Sequence, residues 1–93
     1  MKTRTAAVVV NRLNKAFPDI KGLKKISETK IFLGDVAEGF EIDNLPACDY
    51  YTNLEGSHYT YGVHNKLWNL VVDCGWFVEC YDPGTYYAFP VYG

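Results

Sequence analysis

The stretch from Val63 to Val91 constrains this chain most, because its apolar period changes once, abruptly, at a glycine. Val63, Leu67, Leu70, Val71 and Cys74 fall at i, i+4, i+7, i+8 and i+11, one stripe on a 3.6-residue repeat, which predicts a helix over 63–74. Gly75 can take the left-handed conformation that closes a helix without a Cβ penalty. From Trp76 the period is two. With Pro83 and Gly84 at the centre of a turn, Tyr81 faces Tyr86, Cys80 faces Tyr87, Val78 faces Phe89 and Trp76 faces Val91. That register puts Trp76, Val78, Cys80, Tyr87, Phe89 and Val91 on the core face of a hairpin. A three-residue loop with a bulge would shift the pairing by one.

The first half reads to a similar plan. Ala6, Val9, Val10, Leu13, Ala16 and Phe17 form the buried stripe of a helix over Thr3 to Ala16, with Asn11, Arg12, Asn14 and Lys15 outward. Thr3 or Thr5 caps its start, and Pro18 disfavours a helical Phe17 and ends it. Lys25 to Leu33 reads as one strand, Gly34 to Gly39 as a turn, and Phe40 to Asp43 as a second strand that Leu45-Pro46 stops. The expected fold is α+β in two layers, an antiparallel sheet with two helices on one face, in the order αββ-αββ. Ninety-three residues make a single domain over 1–93, which buries roughly 60–65% of its unfolded surface and needs no metal or disulfide.

Between the halves, Ala47 to Gly62 interleaves tyrosines with Thr, Asn, Ser, His and Asp. Long irregular connections in small domains are commonly functional. Tyrosine supplies rigid contact area and its small polar neighbours supply hydrogen bonds. Tyr50, Tyr51, Tyr59 and Tyr61, with Asp49, Glu55 and His58, are therefore the candidate partner-binding residues. The competing reading is that these rings cover the open face of a thin sheet.

Charge is unevenly distributed. Residues 1–30 carry eight lysines and arginines against Asp19 and Glu28, while residues 31–93 carry nine acids against Lys66 alone. A basic first element folded on acidic later ones would explain this, as would an acidic face for a basic partner. Arg4, Arg12, Lys15, Lys21, Lys24 and Lys25 are the candidate phosphate contacts of an alternative, nucleic-acid-binding reading. Against that alternative, the aromatics lie in the acidic part of the chain and no nucleic-acid motif matches.

Chemistry is sparse. Cys48, Cys74 and Cys80 are an odd, widely spaced set that reads as reduced thiols, and no CxxC or HxxxH spacing joins them to His58 or His64 as a zinc site. No glycine-rich phosphate loop or nucleophile elbow is present. No cofactor, no metal and no enzymatic activity are expected. With no run of 18 apolar residues and too short an apolar run after the basic start for a signal peptide, neither a membrane span nor export is expected.

The segment Leu13-Asn14-Lys15-Ala16-Phe17-Pro18-Asp19-Ile20-Lys21 resembles the opening of small α+β domains in large polyvalent proteins of phages and mobile elements. Those begin with a helix ending in Ala-Phe-Pro and continue into two strands. Their second strand is usually followed by a Trp-Thr-Asp-Gly-type turn, where this chain has Ile42-Asp43-Asn44-Leu45-Pro46. Gly75-Trp76-Phe77-Val78-Glu79-Cys80-Tyr81-Asp82-Pro83-Gly84-Thr85 is similar to the ends of short phage proteins. The resemblance implies a phage or mobile-element accessory protein, and the reduced thiols place the expectation in the host-cell cytoplasm. The resulting expectation is a non-enzymatic binder of a host or phage protein with a basic surface, such as an anti-CRISPR-like inhibitor of a host defence complex.

Overall fold

The computed structural model describes residues 3–48 and 58–91. Helix α1 spans Ala6–Ala16, and the Thr5 hydroxyl accepts from the Val8 amide at 3.3 Å, satisfying one of its free N–H groups. The Phe17 amide still donates to the Leu13 carbonyl, and the helix stops there before Pro18. Ala6, Val9 and Leu13 are buried as the stripe predicts, but Ala16 is exposed.

The main sheet is antiparallel in the order β1 (Leu23–Ser27), β2 (Lys30–Leu33), β8 (Thr85–Pro90), β7 (Trp76–Asp82). Both αβ-hairpin units feed it: α1 leads into β1–β2, and α2 (Asn65–Asp73) leads into β7–β8. Two short ribbons stand between them, β3 (Glu41–Ile42) with β4 (Leu45–Pro46) and β5 (Tyr59–Thr60) with β6 (Val63–His64). The α+β class holds, but the strand expected over Phe40 to Asp43 lies outside the main sheet, in the β3–β4 ribbon, and the hairpin after α1 is β1–β2, where a single strand was expected.

Three boundaries differ from expectation, each for a local reason. The single strand expected over 25–33 is a hairpin. The Ser27 hydroxyl accepts from the Thr29 amide at 3.2 Å, and Lys25 pairs with Glu28 at 2.5 Å, so the chain reverses at Glu28-Thr29. Leu45-Pro46 does not end a main-sheet strand but pairs back on Glu41-Ile42, because Asp43 and Asn44 both take positive φ (54° and 66°) in a tight two-residue turn. The second helix starts at Asn65 instead of Val63, since Val63-His64 pairs with Tyr59-Thr60 and the His64 imidazole caps the helix by accepting from the Lys66 amide at 3.1 Å.

The β7–β8 register is shifted by one from the two-residue-turn expectation. Asp82 still faces Thr85 across Pro83-Gly84, and its carboxylate accepts from the Gly84 amide. Tyr81 is an extra, 77% exposed residue, and beyond it Cys80 pairs with Tyr86, Val78 with Ala88 and Trp76 with Pro90. The core face is therefore Trp76, Val78, Tyr86 and Ala88, not Tyr87, Phe89 and Val91. These last three leave the interior, and Val91 is 52% exposed.

The core joins both helices to that face. Val9 and Leu13 of α1 and Leu67 and Val71 of α2 meet Ile31, Leu33, Trp76 and Ala88, all of them at most 1% exposed. Each valine, leucine or isoleucine among them contributes roughly 1.5–3 kcal/mol of transfer free energy. Trp76 also ties the start of the chain to the α2–β7 junction, its indole donating to the Arg4 carbonyl at 2.8 Å while the Arg4 amide donates to the Cys74 carbonyl at 2.8 Å.

Candidate functional site

The end of α1, the β3–β4 hairpin and one flank of α2 enclose an open hollow of about 480 Å³. Pro18 stops α1 so that Phe17 turns back toward the hairpin, where it meets Phe40 edge-on at 6.3 Å. Lys66 and Leu70, four residues apart on α2, share the facing flank. Phe17, Phe40, Ile42 and Leu70 thus supply the apolar lining. Asp19, Glu41 and Asp43 bring three carboxylates to the same hollow against the single ammonium of Lys66.

The turn at Asp43-Asn44 aims the Asp43 carboxylate at Lys66 Nζ, 2.5 Å away. That hydrogen bond holds the Asp43 carboxyl below its ordinary value, with burial opposing it. Lys66 is thereby engaged, which leaves Asp19 and Glu41 to dominate the rim. Carboxylates above aromatic and aliphatic walls suit the long side chains of lysine and arginine, whose stems pack on apolar surface while the cation stays at the rim.

The predicted contact residues are distributed differently. Asp49, Tyr50, Tyr51 and Glu55 lie outside the described residues. His58 is exposed, and its carbonyl accepts from the Asn65 amide at 2.8 Å. Tyr59 is buried: its hydroxyl donates to the Pro46 carbonyl at 2.6 Å and its ring meets His64 edge-on at 5.7 Å. It is a core residue and not a surface anchor, because the β5–β6 turn directs it inward. Tyr61, at φ 51° in that turn, is 78% exposed and packs on Trp68 at 5.6 Å. Trp68 follows Lys66 by two residues, about 200° around the helix, so the Tyr61–Trp68 pair sits on the other flank of α2 from the hollow.

The candidate phosphate contacts do not converge. Arg12 and Lys15 are exposed on α1, with Arg4 just before it, on the helical layer. Lys24 pairs with Phe32 across β1–β2 and so lies on the opposite face of the sheet. Lys25 is held by Glu28, and the Lys21 amide donates to Asp35. The two ion pairs among the described residues each join groups within the same part of the chain, so they do not dock the basic start onto the acidic remainder.

Cys48 and Cys74 are buried and Cys80 is half-buried, all three free. Burial, followed by the neighbouring Cys80, pushes the Cys48 thiol up to about 12. Among the described residues no three His, Cys, Asp or Glu side chains are grouped to hold a metal ion. No helix there is long and apolar enough to cross a membrane.

The sequence pattern places Phe17 in the α1 stripe and Glu41 and Asp43 within a strand over Phe40 to Asp43, so the hollow they share is not visible in it. The acid excess after residue 30 was the available signal. Comparison with protein-family models, curated proteins and solved structures finds no match to this chain.

Proposed function

We propose that the protein is a non-enzymatic binding protein that takes a basic segment of a protein partner into the hollow between α1, the β3–β4 hairpin and α2. The observation that carries this is the placement of Asp19, Glu41 and Asp43 around a lining of Phe17, Phe40, Ile42 and Leu70. A lysine or arginine entering there gains both an apolar contact and a carboxylate partner. The wider reading is an accessory protein of a phage or mobile element that occludes a host defence complex in the host-cell cytoplasm, in the anti-CRISPR manner. It is supported by the resemblance of the Ala16-Phe17-Pro18 and Gly75–Thr85 stretches.

The alternative is a nucleic-acid-binding module that uses the basic N-terminal helix. Arg12 and Lys15, exposed one turn apart on α1, support it. Capture of partners from host lysate by the immobilised protein separates the two. The Asp19→Lys/Glu41→Lys variant should lose a captured protein that the native chain and the Arg12→Glu/Lys15→Glu variant both retain. Loss with the helix variant alone, together with nuclease-sensitive capture, would overturn the hollow as the working site.

A further inference from the structure

The register shift in β7–β8 gives the outer face of the main sheet a pattern that the partner-binding reading does not use. One cross-strand row runs Lys24, Phe32, Tyr87, Glu79 over β1, β2, β8 and β7. Its inner-face neighbours Ile31, Ala88 and Val78 are buried, so this row faces away from both helices. The next outward row on these strands includes Lys30, Phe89 and Phe77. The rings form one connected patch: Phe32–Tyr87 at 5.7 Å, Tyr87–Phe89 at 6.2 Å, Phe89–Phe77 at 5.9 Å, and Tyr81 edge-on to Tyr87 at 6.0 Å. Lys30 Nζ lies 4.4 Å from the centre of the Tyr87 ring.

We infer that this face binds a second copy of the same chain, sheet against sheet. The argument is the order of charges in the row: a cation on the β1 edge, two rings, an anion on the β7 edge. A two-fold axis in the interface, parallel to the strands and between β2 and β8, lays the β1 edge of each copy over the β7 edge of the other. Rows keep their level under that operation. Lys24 of each copy then meets Glu79 of the other, Phe32 meets Tyr87, and Lys30 comes over Phe89, where cation and ring attract. Sheets stack face to face about 10 Å apart with strands within roughly 30° of alignment, a distance that aromatic and long charged side chains span from both sides. The pattern is self-complementary, which is what an isologous contact requires. A nucleic acid fits it less well, since Glu79 stands in the row and would face phosphate.

A charge-swap series measured by sedimentation velocity on the full chain tests this. The native protein should sediment as a dimer at high micromolar concentration. Lys24→Glu and Glu79→Lys should each weaken dimerisation by about tenfold or more, as like charges are brought into register. The double variant Lys24→Glu/Glu79→Lys should restore it, because opposite charges face each other again. Both positions are exposed, so the variants should fold, and circular dichroism is the check. A native monomer, or a double variant no tighter than the singles, would overturn the proposal. Binding of oligothymidylate by a monomer, lost on Tyr87→Ala, would overturn it in favour of a base-stacking platform. Asp19→Lys/Glu41→Lys should leave the dimer intact, which keeps this outcome separate from that of the hollow.

Discussion

A Cβ placed on Gly75 would lie 2.8 Å from the Cα of Thr3. Two backbones thus meet where the second helix ends, and Gly75 is also at φ 80°. Any side chain there meets a left-handed backbone costing about 1 kcal/mol and a rigid neighbour that cannot rotate away. Gly75→Ala should therefore destabilise the domain by more than about 2 kcal/mol in urea unfolding, well above the usual effect of a surface substitution.

The shifted hairpin register predicts a sharp contrast between adjacent residues. Val78 is 8% exposed opposite Ala88, whereas Glu79 is exposed opposite Tyr87. Val78→Asp buries an unpaired charge and should unfold or severely destabilise the chain, while Glu79→Lys should cost less than about 1 kcal/mol. The two melts should be compared at low protein concentration, where self-association adds little. Equal melting temperatures would mean that the alternation has been assigned to the wrong faces.

These positions also show what the sequence made legible. The centres of both helix stripes, the Gly75 stop and the inward Trp76 and Val78 follow from local periodicity, while Ala16 at the end of one stripe is exposed and Val63 at the start of the other lies in β6. What failed was non-local or a matter of one residue. The bulge at Tyr81 exchanges every β8 side chain between faces, since strand period is two. The Ser27–Thr29 turn lies inside a run whose alternation reads straight through it. The hollow needs Pro18, the Asp43-Asn44 turn and the α2 flank to meet in space. No spacing in the chain encodes that meeting.

The pH dependence of stability should bear the mark of His64. The residue is 4% exposed, and burial lowers its pKa from the ordinary 6.5; Asp43 pulls the other way, and His58 and Lys66 add to the lowering. A histidine whose folded pKa is lowered binds protons more readily when unfolded. Its contribution is complete above about pH 6.5 and is lost as pH falls from there toward the folded value. Protonation also removes the acceptor that caps α2 at the Lys66 amide. The native chain should lose melting temperature between pH 7 and 5 more steeply than His64→Asn, which keeps a capping oxygen without titrating.

Thiol reactivity should divide the cysteines by burial. Cys80 is half-buried with its Sγ directed at the Asp82 carbonyl, while Cys48 and Cys74 are enclosed and the Cys48 thiol is raised to about 12. In the folded protein a disulfide reagent at pH 8 should reach Cys80 first, and Cys48 and Cys74 only at the rate of opening. Denaturation without reductant should release three thiols, since all three are free. Recovery of a single thiol would reveal a disulfide and contradict this assignment.

Tyr59 and Tyr61, two residues apart in one ribbon, should answer opposite questions. The Tyr59 hydroxyl donates to the Pro46 carbonyl at 2.6 Å and its ring is in the core. Tyr59→Phe should cost about 1 kcal/mol through that hydrogen bond, and Tyr59→Ala about 3 kcal/mol or more through the cavity as well. Tyr61 is 78% exposed at φ 51°, a conformation that asparagine adopts more readily than tyrosine. Tyr61→Asn therefore removes a ring from Trp68 while easing the backbone, and its melting temperature should stay within a few degrees of native or rise. The same variant then isolates the ring's role in binding. If the Tyr61–Trp68 flank contributes an anchor, Tyr61→Asn should weaken partner capture by about tenfold or more at unchanged stability. If capture is unaffected by Tyr61→Asn yet lost with Asp19→Lys/Glu41→Lys, recognition is confined to the flank of α2 that carries Lys66 and Leu70.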